Sequence, residues 1–186
     1  MGHTQAEKAR SHARILEVAG QALRAQGLDA VGVADVMRAA GLTVGGFYKH
    51  FPTREALVEE AVGATFGHWR EDAATADADY RALVTAYLSR AHRDAPATGC
   101  PFAALAADLA RAAPGLRGRA ATAVDGMIDL FASRLSGPSE AAHAQAVLTV
   151  CALVGAVSLA RIARDTPTGD DILRTVAARL TATAGD

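Results

Sequence analysis

The sequence has little of what secreted, membrane or strand-rich proteins require. Its 186 residues contain two cysteines, Cys100 and Cys151, which are too few for a disulfide framework. Aromatic residues make up 5% of the chain, and segments with the alternating pattern of strands are almost absent. The longest apolar run, residues 146–160, has 15 residues and falls short of the about 20 that span a bilayer. These absences, together with a polar and charged N-terminus, predict a soluble cytoplasmic protein that does not enter a membrane.

Residue patterns that support catalysis or bind metals are also absent. The chain has no phosphate-binding loop, no nucleophile paired with a base and no HExxH sequence. Its histidines are scattered rather than clustered, at His3, His12, His50, His68, His92 and His143. We therefore predict no catalytic residue, no metal site and no cofactor.

The sequence is instead rich in alanine, which favours helices. Hydrophobic residues make up 51% of the chain, and they recur at helical spacing nearly everywhere, which predicts an all-α fold of about nine helices. The net charge is only −1, but residues 1–54 carry +3 and the remainder carries −4. This asymmetry is typical of a basic end that faces DNA on an acidic body.

Residues 33–51 form the clearest motif. The first helix has apolar residues at the i, i+3, i+4 and i+7 positions of one face, which are Val33, Val36, Met37 and Ala40. Gly41 then ends the helix, because a residue without a Cβ adopts the left-handed cap conformation readily. Thr43 suits the N-cap of a second helix, and Phe47 and Phe51 lie one turn apart, where they anchor that helix inward. The stretch is therefore interpreted as a helix-turn-helix.

The second helix leaves Thr43, Val44, Gly45, Tyr48 and Lys49 facing outward. Each of its two glycines weakens a helix by roughly 1 kcal/mol relative to alanine, and close approach to a phosphate backbone would explain the pair. Tyrosine and lysine side chains both bond phosphates. The alternative is an ordinary α-hairpin within a core, which does not explain why aromatic and basic groups cluster on the exposed side.

Residues 11–60 resemble the DNA-binding domain of the TetR family of transcriptional regulators. The resemblance rests on the segments ILEVA (15–19), GL (27–28), AAGLT (39–43) and FYKHFPTREAL (47–57). The chain departs from the family pattern at Gly32, where Ser or Thr usually caps the first motif helix, and at Ala34, where a long polar residue is common. The resemblance implies a three-helix DNA-binding domain over residues 1–54 and a helical effector-binding and dimerisation domain over residues 55–186.

Several residues of the motif become candidate DNA contacts by this resemblance. They are Arg38, Thr43, Val44, Gly45, Gly46, Tyr48, Lys49, His50 and Arg54. His50 either bonds phosphate or packs at the helix end. Arg54 is either a phosphate contact at the start of the next helix or a plain surface arginine.

Helical spacing predicts one helix before the motif, ending near residue 26, and six after it. The six lie at about residues 53–72, 77–93, 101–113, 116–135, 139–164 and 170–183, with Thr53 and Ser139 as N-caps. Most large side chains of the body fall on four of these helices, and they either line an apolar effector pocket or fill a core. The candidate pocket residues are Phe66, Trp69, Tyr87, Cys100, Phe102, Leu105, Met127 and Phe131.

The two cysteines receive different interpretations. Cys100 precedes Pro101 at a helix start, where the positive end of the helix lowers a thiol pKa and raises its reactivity. It is therefore either a capping residue or the trigger of a thiol-based sensor. Cys151 lies in an apolar run and is predicted to be a small core residue.

The last two helices are candidates for a dimer interface. The middle of the helix over residues 139–164 is apolar all round, which requires burial on more than one side, either inside a monomer or against a second copy. The candidate interface residues are Val147, Val150, Val154, Ile172 and Val176. The resemblance implies a homodimeric repressor that a small apolar effector releases from a palindromic double-stranded DNA operator. The alternatives are a redox- or electrophile-sensing repressor acting through Cys100, and a helical binding protein or enzyme without DNA function.

Overall fold

The computed structural model describes residues 5–75 and 78–182, with backbone alone between 69 and 75. These residues form nine α-helices and one 3₁₀ helix and contain no strand. The α-helices are α1 (Gln5–Gln26), α2 (Val33–Ala39), α3 (Arg54–Thr75), α4 (Tyr80–Tyr87), α5 (Arg90–Asp94), α6 (Pro101–Arg111), α7 (Pro114–Ala132), α8 (Ser139–Ile162) and α9 (Pro167–Ala182). The 3₁₀ helix, Val44–Lys49, follows α2 and is called the recognition segment. We call α1, α2 and this segment the head, and α4–α9 the body.

The head is held together by the apolar residues that its sequence pattern predicts. Ile15, Ala19 and Leu23 form the buried face of α1. The helix ends at Gly27, whose φ of 90° is a left-handed conformation and whose N–H donates to the Leu23 carbonyl at 2.8 Å. Phe47 is also buried in the same core. The predicted end of the first helix and the predicted inward position of Phe47 are therefore confirmed.

The turn of the helix-turn-helix is a Schellman motif. Gly41 has a φ of 72°, and its N–H donates to the Arg38 carbonyl at 3.0 Å. The next N–H, that of Leu42, donates to the Met37 carbonyl at 2.9 Å. These two bonds satisfy carbonyls that a helix end otherwise leaves unpaired, and they set the angle at which the chain leaves α2.

The second motif helix differs from the prediction. It is a six-residue 3₁₀ helix rather than an α-helix, and Thr43 occupies its N-cap position without a side-chain hydrogen bond. Two glycines in six residues lower helix propensity, and burial of Phe47 and Phe51 fixes the segment instead.

The long helix α3 joins the head to the body. Its first turn is capped as predicted, since the Ala56 N–H donates to the Thr53 hydroxyl at 3.1 Å. It packs along α1 on one side and against α6 and α7 on another, so that one continuous core extends from the head into the body.

The predicted helix over residues 77–93 is wrong in its continuity. The segment forms two helices, because two side chains each cap a separate helix start. Asp79 accepts the Ala82 N–H at 2.8 Å to begin α4, and Ser89 accepts the His92 N–H at 3.1 Å to begin α5. Residue 77, where the prediction began, lies outside the described residues.

Proline positions account for the remaining boundary differences. α7 begins at Pro114 and α9 begins at Pro167, whereas the sequence placed both starts a few residues later. Proline suits the first helical position because its missing N–H would have no partner there. Pro138 rather than Ser139 holds the N-cap position of α8, without a side-chain bond.

The helix α8 is the central element of the body and packs against α5, α6, α7 and α9. It is 24 residues long, and by length and composition alone it is the one described helix apolar enough to cross a bilayer. A buried helix of a folded core satisfies the same criterion, and α8 carries eight buried residues. Within that core the Tyr80 and Thr149 hydroxyls are hydrogen-bonded at 2.8 Å, which ties α4 to α8.

Candidate DNA-binding surface and effector cavity

The recognition segment presents its outer side to solvent. Tyr48 is 77% exposed and Val44 is 52% exposed, and Thr43, Gly45 and Lys49 are also exposed. Between them Phe47 is buried and its ring meets the Tyr48 ring edge-on at 5.3 Å. The inward phenylalanine thus fixes the backbone while the tyrosine beside it points away from the head. This is the arrangement of a segment that contacts a partner along one side.

The two glycines of the segment differ in their surroundings. A Cβ added to Gly45 would meet nothing within 4 Å, so this position faces open space. A Cβ on Gly46 would lie 3.7 Å from the Met37 side chain, an ordinary contact. Neither glycine is required by packing inside the head. The open space beside Gly45 is instead available to a closely approaching surface.

Basic groups gather where the start of α1 meets the recognition segment. Lys8, Lys49 and His50 border a cleft of ≈450 Å³ there. Desolvation, followed by the charges of His12, Lys8 and Lys49, lowers the His50 pKa below its usual value, and its Nδ1 has no hydrogen-bond partner. A negatively charged partner in this cleft would relieve the mutual repulsion of these groups.

Two predicted DNA contacts have partners within the protein. Arg54 donates from Nε to the Val31 carbonyl at 3.0 Å and from Nη2 to the Leu28 carbonyl at 2.5 Å. It therefore holds the α1–α2 loop against α3 and is not a plain surface arginine, while the phosphate contact stays a prediction. Arg38 is exposed at the end of α2 and pairs with Asp35 at 3.0 Å. An exposed pair of this kind is weak enough for a phosphate to replace.

A cavity of ≈310 Å³ lies between α3, α6 and α7, and we call it the α3–α7 cavity. Three of the predicted pocket residues line it: Phe66, Phe102 and Met127. Its walls also include four small residues that the sequence analysis did not select: Gly63, Gly67, Ala123 and Gly126. Arg119 and Thr122 also line it. Among the side chains that the structure describes, the lining is therefore mainly apolar and includes one cation.

The other predicted pocket residues do not join this cavity. Tyr87, Cys100 and Phe131 line a separate space of ≈220 Å³, which we call the Tyr87 cavity. Leu105 lines neither space and is buried in the core. The side chain of Trp69 lies outside the described residues. The predicted pocket residues therefore line two separate spaces, the first with Phe102 of α6 and the second with Cys100, which precedes α6.

His92 lines the Tyr87 cavity, and its two hydrogen bonds define which ring nitrogen carries the proton. Its Nε2 lies 2.9 Å from the backbone nitrogen of Cys100, which is able only to donate, so Nε2 accepts. Its Nδ1 consequently carries the proton and donates to the Tyr87 carbonyl at 2.6 Å. Burial, and next the charge of Arg161, lower the His92 pKa, although the bond to Tyr87 opposes them. A Cβ on Gly99 would lie 2.6 Å from this ring, so only glycine fits there.

This geometry predicts a contribution of His92 to the pH dependence of stability. A histidine whose pKa is lowered by folding stabilises the protein above the unfolded pKa of about 6.5, and that stability is lost as the pH falls below it. Thermal unfolding between pH 8 and pH 5 should therefore show a smaller loss of Tm for His92→Gln than for the wild type. The exposed His143→Gln on α8 is the matched control. An equal pH dependence in wild type and His92→Gln would contradict the neutral, doubly bonded ring.

A lowered thiol pKa was the premise of one of the two interpretations of Cys100, and the structure gives the opposite direction. The side chain is 1% exposed, and burial raises the pKa of the thiol. The Tyr87 side chain, and after it the N–H groups of Ala103 and Phe102 at the start of α6, lower the pKa in part, but burial outweighs them. Cys151, predicted to lie in the core, is exposed on α8.

The outer side of α8 is unusually apolar for an exposed surface. Leu148, Leu159 and Ile162 are 64%, 56% and 83% exposed. With Cys151 they form a line along one side of the helix, and we call these four residues the α8 outer face. Val150, predicted for the interface, is buried within the chain's own core, whereas Val147, Val154, Ile172 and Val176 are half-buried beside the α8–α9 contact.

Two hydrogen bonds join the head directly to the body. Arg24 of α1 donates from Nε to the Ala97 carbonyl at 2.6 Å, in the loop before α6. The Leu28 N–H donates to the Asp108 carboxylate of α6 at 3.3 Å. These contacts could not be predicted from the sequence, since arginine and aspartate on exposed helix faces give no signal of a distant partner. The glycines that line the α3–α7 cavity did give a signal in the sequence, because Gly63 and Gly67 lie one turn apart inside a helix, where glycine is unfavourable.

Comparison with known proteins gives matches over both parts of the chain. Residues 15–61 match the family model described as bacterial regulatory proteins, tetR family. Residues 75–178 match the model described as transcriptional regulator LmrA/YxaF-like, C-terminal domain. A curated relative, an uncharacterised HTH-type transcriptional regulator of Mycobacterium tuberculosis, is 32% identical over 165 residues, which is 82% of this chain and 84% of the relative.

Solved structures share the fold at lower identity. A TetR-family transcriptional regulator from Cytophaga hutchinsonii superposes with a TM-score of 0.77 at 18% identity, over 98% of each chain. The reduced form of Escherichia coli NemR superposes with a TM-score of 0.75 at 18% identity, over 92% of this chain and 95% of that one. At these identities the likeness concerns the arrangement of helices alone.

Proposed function

The chain belongs to the TetR family of bacterial regulatory proteins, and from that premise we propose that it is a dimeric repressor that a small effector releases from DNA. It is a DNA-binding transcriptional regulator, and members of this family are not enzymes. Its proposed partners are a double-stranded operator, a small molecule and a second copy of itself, and its proposed place is the cytoplasm.

The recognition segment is the part that we place in the major groove. Its exposed side combines Tyr48 and Lys49, which bond phosphates, with the open approach at Gly45. Lys8 and His50 add positive charge beside it. Duplexes selected from randomised DNA with the purified protein should contain two inverted half-sites, and binding should weaken steeply as salt rises. Failure to enrich any duplex would overturn this assignment.

The α8 outer face is the surface that we assign to the second copy. Three large apolar side chains in a line would otherwise remain in water, at a cost of roughly 25 cal/mol per Å² of apolar area. Two such helices packed against each other, with α9 alongside, would form a four-helix interface. The buried Val150 is no longer part of this proposal.

Cysteine labelling tests whether this face is covered. Cys151 is exposed in one chain, so we expect a soluble thiol reagent to modify it slowly at concentrations where the dimer forms and quickly after dilution. Cys100 is the internal control, because its burial should protect it in both conditions until the protein unfolds. Rapid labelling of Cys151 at all concentrations would contradict an interface at this face.

One observation carries the proposal of effector release. Two walls of the α3–α7 cavity, α3 and α6, are each hydrogen-bonded to the head. Arg54 at the start of α3 donates to the Leu28 and Val31 carbonyls, and Asp108 of α6 accepts the Leu28 N–H. A molecule that separates these walls therefore displaces groups that position the head. Because it would bind one arrangement better than the other, it would shift the equilibrium between them.

A cavity-filling variant tests this coupling without knowledge of the effector. A Cβ at Gly67 meets nothing within 4 Å, so the side chain of Gly67→Leu would occupy the cavity, and the substitution improves helix propensity. We expect this variant to bind a selected duplex several-fold more weakly while it remains folded. The matched control is Gly118→Leu, which adds the same side chain to exposed α7. Equal DNA affinity for both would contradict the coupling.

The alternative of a sensor that acts through Cys100 has less support. A reactive thiol needs a low pKa and access to its reagent, and this one is buried with a raised pKa. We therefore propose a structural role for Cys100 at the start of α6.

A further inference from the structure

We infer that the effector of the α3–α7 cavity is an apolar molecule with a single anionic end, and that Arg119 binds that end. This inference rests on the proposed function, because it names the chemical class of molecule that occupies the cavity proposed above. It depends on the shape of the cavity, on the position of Arg119, which is the charged residue among the described lining residues, and on the weak partner of Arg119.

The shape of the cavity favours a ligand whose apolar part is narrow. Gly63 and Gly67 lie one turn apart on α3, and Ala123 and Gly126 face them from α7. These small residues leave a channel between two helices rather than a filled contact. Phe66, Phe102 and Met127 form the remaining apolar wall. At about 30 Å³ for each non-hydrogen atom of a liquid, the ≈310 Å³ of the cavity holds a molecule of about ten such atoms.

The charge is at one end of this channel. Arg119 precedes Ala123 by one turn of α7, and one of its guanidinium nitrogens lies 3.9 Å from the position of a Cβ on Gly63. Its side chain is 58% exposed, so it lies at the mouth of the channel rather than within it. A ligand with its apolar part between the helices would present its polar end to this guanidinium.

The existing partner of Arg119 leaves it available. Glu59 of α3 lies 3.9 Å away, which is within the range of an ion pair but too long for a hydrogen bond. A ligand carboxylate that bonds both guanidinium nitrogens would form a shorter and better aligned contact. Glu59 would then act as a competitor for the same cation, so that its removal should strengthen the binding of an anion and leave the binding of a neutral molecule unchanged.

Isothermal titration of the full chain with three matched probes tests the inference. Sodium octanoate has about the size that the cavity accepts, 1-octanol has the same chain without charge, and octylammonium has the opposite charge. We expect octanoate to bind about fivefold more tightly than octanol, which is modest because an exposed ion pair contributes up to about 1 kcal/mol. Arg119→Gln should abolish this preference without changing the affinity for octanol. Glu59→Gln should enlarge it.

Controls separate the anionic preference from the proposed function. Arg117→Gln removes the same charge from an exposed position of α7 that does not line the cavity, and it should keep the preference. Gly67→Leu should remove the binding of all three probes if they occupy the cavity. Equal binding of octanoate and octanol, both blocked by Gly67→Leu, would overturn the anionic preference and retain the cavity as the effector site. No binding of any probe, or binding that Gly67→Leu leaves unchanged, would overturn the inference as well.

Discussion

The double variant Leu159→Glu/Ile162→Glu should run as a single chain in sedimentation and bind DNA at least about 100-fold more weakly than the wild type. Burial of a leucine or isoleucine contributes roughly 1.5–3 kcal/mol, and two copies of the chain lose four such side chains, so the dimer constant should fall by more than about 1,000-fold. Separate chains then lose the gain in affinity that comes from linking two half-site contacts.

A pair of glutamates elsewhere on the surface provides the control. Gly118→Glu/Ala121→Glu places the same two charges three residues apart on the exposed side of α7. This variant should remain dimeric and bind DNA like the wild type. A dimeric Leu159→Glu/Ile162→Glu protein would show that the α8 outer face is not the contact between copies.

Tyr48→Ala/Lys49→Ala should lower affinity for a selected duplex by about 100-fold or more, with no change in fold or in dimer formation. Each charge-assisted hydrogen bond contributes about 1.5–3 kcal/mol, and the dimer presents both residues twice. Each lysine that contacts a phosphate releases counterions from the DNA when the protein binds. The dimer loses two such contacts, so the slope of log affinity against log salt should become less steep by about 2. Tyr48 is 77% exposed, so the free protein loses little packing.

Removal of a positive charge from the body tests whether DNA affinity depends on contacts of the recognition segment or on the overall charge of the protein. Arg81→Ala on exposed α4 removes one charge of the same sign at a distance from the recognition segment along the chain. Its affinity and salt slope should stay close to those of the wild type. If Arg81→Ala and Tyr48→Ala/Lys49→Ala weakened binding equally, the recognition segment would not be the contact surface.

The sequence predicted the head well because its signals are local. Gly27 and Gly41 end helices at the positions expected, and the inward phenylalanines of the motif are buried. Backbone conformations that favour glycine, and apolar residues one turn apart, are fixed by neighbours along the chain. The same rules missed the 3₁₀ form of the recognition segment, where burial at two positions decides the geometry rather than propensity.

The body was predicted less well, because its features depend on contacts between distant segments. The large side chains that suggested one pocket line two separate spaces, and nothing in their spacing indicates that separation. Arg54 has the position of a phosphate contact in the motif, yet its partners are carbonyls more than 20 residues away in the chain. The apolar content of α8 was clear from the sequence, but which of its sides faces inward depends on the helices packed around it.

Burial also explains the different outcomes for the two cysteines. The sequence left Cys100 as either a capping residue or a reactive thiol, from its helix-start position, and it predicted burial of Cys151 from its apolar neighbours. The structure buries Cys100 and exposes Cys151, because α6 enters the core at its first turn whereas Cys151 is on the outer face of an otherwise buried helix. A pKa argument from a helix terminus is valid only after the exposure of the thiol is known.

The central claim is that two copies, joined at the α8 outer face, place two recognition segments on one duplex. The mass of the complex with a selected duplex, measured at concentrations near the dissociation constant, tests this claim most directly. We predict two chains per duplex, with protected half-sites one helical turn apart, about 34–36 Å, or a multiple of that distance. A complex of one chain with one half-site, equally stable when the second half-site is deleted, would contradict the account.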